Sequence, residues 1–137
     1  MDAKEIKFFV KRIFTKDLSL ESPDAPAIFD NIKSTPKIAF NLNTTITEVD
    51  NTTYDTTLEI TVKAELDDAV IYMVDLKQAG LFIIDGADDE LKDGFLNIRC
   101  PEVLFPYARE TISSLVQKAG FPPIFIAPID LHFVASA

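Results

Sequence analysis

Two adjacent runs of alternating side chains constrain this chain more than any other feature. Between residues 37 and 48, Ile38, Phe40, Leu42 and Ile46 share one parity, and Ala39, Asn41 and Asn43 share the other. Between residues 53 and 66, Leu58, Ile60, Val62, Ala64 and Leu66 stand against Thr57, Glu59, Thr61, Lys63 and Glu65. Successive side chains of a strand point to opposite faces, so each run is a strand with one dry face and one wet face. Asp50-Asn51 and Asp67-Asp68 fall where tight hairpin turns would sit, and the pattern as a whole is antiparallel. A first extended run covers Glu5 to about Glu21, and a fourth covers Val70 to Ile84. Pro23, Pro26 and Pro36 bracket a segment from Ser22 to Thr35 that is expected to cross between the first and second strands.

The first and fourth runs are apolar on both parities. In the fourth, Tyr72, Val74, Leu76 and Gln78 oppose Ile71, Met73, Asp75 and Lys77. In the first, the adjacent Phe8 and Phe9 must face opposite ways, and Phe14, Leu18 and Leu20 add further apolar surface. Either the fourth run is a central strand covered by a helix and by loops, or one of its faces meets another subunit or a partner. With 11 Phe and 47% hydrophobic residues, the chain holds more apolar surface than one helix covers, so oligomerisation is expected.

Beyond Gly86 the periodicity becomes helical. Asp88, Asp89, Glu90 and Asp93 lack the spacing of a calcium loop; Asp88 as an N-cap with acids in the first turn fits better. Pro101 suits a first helical turn, and Leu104, Ala108, Ile112, Leu115 and Ala119 follow along one face. Pro106 lies one turn further in, where a bend is expected. Gly120 would supply a left-handed cap, with Phe121 folding back toward Val116, and Pro122-Pro123 stops the helix. The long helix is therefore placed from about Pro101 to Ala119, packed on one face of a four-stranded antiparallel sheet in an α+β fold.

Length and charge remove several function classes. The 137 residues fit a single domain, residues 1–137, and a net charge of -9 with no basic strip argues against nucleic acid. The start shows no export signal and no stretch nears the ~20 apolar residues that span a bilayer, so a cytoplasmic protein without membrane insertion is expected. Asn43-Thr44-Thr45 and Asn51-Thr52-Thr53 then read as strand ends rather than glycosylation sites.

The lone Cys100 is the one candidate nucleophile. Ahead of a helix N-terminus its thiolate would be favoured, but the only available base is His132 near the C-terminus. A small residue filling the helix start is the simpler reading. No nucleophile elbow, metal-ligand cluster or phosphate loop appears, so neither a catalytic set, a metal nor a cofactor is expected.

Four stretches together carry a family resemblance. They are Ile13 to Pro26, Gln78 to Phe82, Cys100-Pro101 with Leu104 to Arg109, and Gly120-Phe121-Pro122 with Ala127 to Asp130. In order and spacing they resemble the bacterial SecB protein-export chaperones over nearly the whole chain. The resemblance implies a four-stranded antiparallel sheet with helices on one side, paired into dimers and then a homotetramer. It implies an ATP-independent holdase that binds unfolded precursor proteins in apolar grooves and delivers them to the SecA motor. A SecB-like chaperone dedicated to one client, such as an antitoxin, is the alternative within the family.

By the same resemblance, Tyr72, Val74, Leu76 and Gln78 fall at strand positions that affect tetramer assembly and client binding. Asp17, Glu21, Met73 and Asp75 fall where the family docks SecA on an acidic outer face. Opposite parity puts the two sets of the fourth run on opposite faces. Lys77 is a basic residue inside that acidic neighbourhood. By the same resemblance a second long helix would follow Asp130, of which only a stub is expected within residues 131–137.

Overall fold

A computed structural model describes residues 5–126. The expected C-terminal stub, with Pro128-Ile129-Asp130 and His132, lies outside them. Four strands, β1 (Lys7–Glu21), β2 (Lys37–Glu48), β3 (Thr53–Leu66) and β4 (Ala69–Asp85), form one antiparallel sheet in the order β1-β4-β3-β2. β2, β3 and β4 follow one another by hairpins. β1 and β2 occupy opposite edges, so residues 22–36 cross the sheet, as the prolines suggest.

Local chemistry fixes both turns. At the β2–β3 turn, Asp50 Oδ1 accepts the backbone N–H groups of Thr52 at 3.0 Å and Thr53 at 2.9 Å. These bonds, Thr52's foremost, favour the charged carboxylate and hold it below its ordinary range. Between β3 and β4, Asp67 and Asp68 take φ of 51° and 65°, the left-handed pair that a two-residue type I′ turn requires.

The register gives the sheet two chemically distinct faces. Ile60 pairs with Leu76, Val62 with Val74 and Ala64 with Tyr72, and these side chains form the buried face. Their odd-numbered neighbours Glu59, Thr61, Asp75 and Lys77 form the outer face. β1 joins this pattern only through two bulges, at Lys11 and Lys16, each of which reverses parity. Phe8, Val10, Ile13, Thr15, Leu18 and Leu20 therefore all pair with inner-face positions of β4, although they share no simple alternation.

The helix begins earlier than its prolines suggest. Asp88 Oδ1 accepts Leu91 N–H at 2.8 Å, capping α1 (Asp89–Gly94) as expected. The chain then continues through one π-helical segment, Phe95–Arg99, directly into α2 (Cys100–Lys118). Pro101 is thus not the start of a helix; it follows a wide turn in which Cys100 N–H reaches back to Phe95 O. A π segment is where the ladder changes register, so a residue without an N–H costs least beside it.

Leu104, Ala108, Ile112 and Val116 of α2 are fully buried against β3 and β4. The space at Gly80 is tight: a Cβ there would stand 2.7 Å from the Phe82 ring and 3.0 Å from Leu104. α2 ends in the anticipated Schellman cap: Phe121 N–H bonds Val116 O at 3.2 Å and Gly120 N–H bonds Gln117 O at 3.0 Å. Gly120 has φ of 96°, which a side chain rarely adopts.

Candidate functional site

The helix covers only part of the inner face, and the remainder forms a groove. β3 and β4 are buried beneath α2, whereas Ile38 and Phe40 on the same face of β2 remain 41% and 36% exposed. Next to them opens an apolar groove of about 530 Å³, bounded by Ile32, Pro36, Ile38, Tyr72, Phe121 and Ile124. Four segments build it: the crossing loop, the start of β2, Tyr72 of β4 and the chain leaving α2.

The Schellman cap positions its floor. By turning the chain back at Gly120, it sets the Phe121 ring 4.8 Å from Tyr72 and 5.2 Å from Phe29. The crossing loop is fastened over this cluster by buried Ile28 and by the Ser22 hydroxyl, which donates to Ile71 O at 2.8 Å. Burial also pushes the Tyr72 hydroxyl pKa up, so the groove floor stays neutral. Lys33, Ser34 and Thr35 also line the groove, but aromatic and aliphatic side chains predominate, and such a concave surface can bind apolar side chains.

The four residues implied for client binding and assembly separate in the structure. Tyr72 lines the groove, while Val74 and Leu76 lie in the core at 0% and 2% exposure. Gln78 is also buried, donating to Phe14 O at 3.1 Å and meeting Thr15 Oγ1 at 3.5 Å, and so ties β1 to β4. Val74, Leu76 and Gln78 thus present almost no surface in the protomer; what they supply there is packing and strand placement.

The other set stays together. Glu21 pairs with Met73, Ser19 with Asp75 and Asp17 with Lys77, so Asp17, Glu21, Met73 and Asp75 share the outer face. Asp75 Oδ1 accepts the Thr61 hydroxyl at 2.8 Å, and Lys16 pairs with Asp55 at 2.7 Å across the same face. Lys77 lies between Asp17 and Glu59 in the register, where it offsets part of their charge.

Cys100 departs from its expected setting. It sits inside a continuous helix, not ahead of a helix N-terminus, and is fully buried. Desolvation pushes its thiol up to about 12, a trend that the nearby Thr56 hydroxyl only partly opposes. It stays a neutral thiol at pH 7, which closes the nucleophile reading. Among the described residues no group of acids, His and Cys is placed to hold a metal, and no helix is long and apolar enough to cross a membrane.

Sequence reasoning put Ile38 and Phe40 on the dry face of their strand, whereas the structure leaves them 41% and 36% exposed; it did not single out Ile32, and it read Phe121 as a capping contact. The available signal was the parity of Ile38 and Phe40: they share a face with Leu42, yet a single helix cannot reach the far edge of the sheet.

Comparison with known proteins places this geometry. Residues 1–135 match the family described as preprotein translocase subunit SecB. The protein-export protein SecB of Methylococcus capsulatus is 38% identical over 126 residues, covering 92% of this chain and 81% of that protein. That of Chromobacterium violaceum is 41% identical over 125 residues, covering 91% and 83%. Among solved structures, a SecB-like chaperone of Mycobacterium tuberculosis in complex with an antitoxin peptide superposes with a TM-score of 0.73 at 14% identity, over 89% of this chain and 90% of that one. On a family match along almost its whole length and on the same open sheet beneath one long helix, the chain belongs to the SecB family of protein-export chaperones.

Proposed function

We propose that this protein is an ATP-independent holdase that takes apolar segments of unfolded precursor proteins into the groove beside Tyr72 and Phe121 and passes them to the SecA motor. The observation that carries this reading is the apolar groove together with the exposed Ile38 and Phe40 on the inner sheet face. Each client side chain buried there contributes ~1.5–3 kcal/mol without demanding a particular sequence. Binding is therefore promiscuous, and no cofactor enters.

In the same reading the acidic outer face, with Asp17, Glu21, Met73 and Asp75, docks SecA, leaving the groove face free for client. Gln78 and the β1–β4 seam support assembly into a homotetramer in the cytoplasm. The relatives at 38% and 41% identity are named for protein export, which favours general export over service to a single antitoxin.

The test is aggregation of a chemically unfolded precursor, followed by light scattering, with and without the protein. Suppression at a stoichiometric ratio of tetramer supports the reading, and unimpeded aggregation removes it. Comparable affinity for several unrelated unfolded clients separates the general chaperone from a dedicated one.

A further inference from the structure

The end of β1 and a bulge in β4 meet at one hydrogen bond. β1 pairs with β4 as far as Glu21↔Met73, and the next residues of the chain are Ser22 and Pro23. Pro23 has no N–H with which to continue the ladder. In β4, Tyr72 pairs with Ala64 and Val70 with Glu65, so Ile71 is the extra residue of a bulge and stands opposite no residue of β3. Ile71 is fully buried, and a buried carbonyl left without a donor is costly. The Ser22 hydroxyl donates to this carbonyl at 2.8 Å, in the place that a strand amide would otherwise fill.

The same bond is where the crossing segment leaves the sheet. Residues 22–36 make their other hydrogen bonds within the segment, among them Ile28 N–H to Asp24 O at 2.9 Å and Asn31 N–H to Ile28 O at 3.0 Å. Of these residues only Ile28 is buried. A segment with so few buried contacts opens locally at low cost, so one hydrogen bond shifts its closed fraction appreciably. We propose that Ser22 is a positioning residue for client binding: its bond to Ile71 O latches the crossing segment down and holds residues 32–36 in place as a wall of the groove. Tyr72 follows Ile71 directly, so the latch fixes the floor and the wall together. A client entering a wall that is already held does not pay to order it, and stays longer. The inference rests on the client-binding reading above and adds the group that keeps the site in shape.

The experiment compares the full chain with Ser22→Ala, which removes the donor, and with Ser22→Thr, which keeps it. Hydrogen exchange is followed by mass spectrometry over residues 24–36 and, as a control, over residues 56–64 of β3. Dissociation of a fluorescent unfolded peptide is measured in parallel. Loss of one hydrogen bond corresponds to roughly a three- to tenfold change in an equilibrium. In Ser22→Ala, residues 24–36 should exchange faster by about that factor and the peptide should dissociate faster by a similar one, while β3 exchanges as before. Ser22→Thr should stay within about twofold of the unaltered protein in both measurements. Unchanged exchange over residues 24–36 overturns the latch, as does a Thr variant that behaves like the Ala variant. Faster exchange in β3 as well marks a general loss of stability and also overturns it. Peptide binding that Ser22→Ala leaves unchanged refutes this inference alone, whereas an unaltered protein that binds no peptide refutes the client-binding reading and this inference with it.

Discussion

Replacing Phe121 with alanine tests the groove and its construction together. The ring is 6% exposed and stands 4.8 Å from Tyr72 and 5.2 Å from Phe29. Deleting a buried Phe side chain costs ~3–5 kcal/mol, of which each aromatic pair accounts for ~0.5–1.5 kcal/mol. Phe29 already lies 44% exposed and can relax toward the vacancy, so a loss near the low end, about 3 kcal/mol, is expected. The cap itself survives, because Phe121 contributes its backbone N–H to Val116 O. The fall in stability reads out as a lower urea midpoint at fixed protein concentration. Binding of an unfolded fluorescent peptide is measured in parallel under native conditions, where a tenfold weakening corresponds to ~1.4 kcal/mol of lost apolar contact. An unchanged urea midpoint would refute the packing argument. A lower midpoint with unchanged peptide affinity would refute the placement of the client.

Leu104→Ala, at a fully buried residue packed against Gly80, should lower stability by ~2–5 kcal/mol in the same denaturation assay. Asp68→Gly relieves a side chain held at φ 65° and should raise stability by ~0.5–1 kcal/mol, seen as a higher urea midpoint. Cys100 should resist alkylation in the native state; its folded pKa is raised from 9.0 to about 12, so its contribution to stability is intact below pH 9 and is lost as pH rises toward 12. Denaturation curves between pH 8 and 11 on the protein and on Cys100→Ala check that sign. Asp75→Lys should abolish binding to SecA in a pull-down while leaving peptide affinity within twofold, because the two faces are separated by the sheet.

Much of the fold could be read from β2 and β3, whose apolar residues keep a period of two; β3 buries that face from Leu58 to Ala64, whereas β2 only half-buries Leu42 and Ile46 and leaves Ile38 and Phe40 exposed. The Asp88 cap and the Gly120 cap were equally legible, since each depends on a local residue and its immediate neighbours. β1 was less so: its bulges at Lys11 and Lys16 reset the parity, and no residue type announces a bulge of this kind. The start of the helix was misplaced because Pro101 is a genuine N-terminal signal, whereas the π segment before it leaves no comparable mark. The groove was the hardest to see. It is assembled from Ile32, Ile38, Tyr72 and Phe121, far apart in sequence, and its defining property is what α2 fails to cover. Strand parity separated the two faces of β4, yet burial shows that of the inner set only Tyr72 reaches the groove.

Site-specific photo-crosslinking tests the central claim most directly. A photoreactive side chain placed at Ile38, and separately at Lys77, is illuminated in the presence of an unfolded precursor. The account predicts that the precursor is captured from Ile38 and not from Lys77. Capture from Lys77 alone, or from both positions equally, would contradict it.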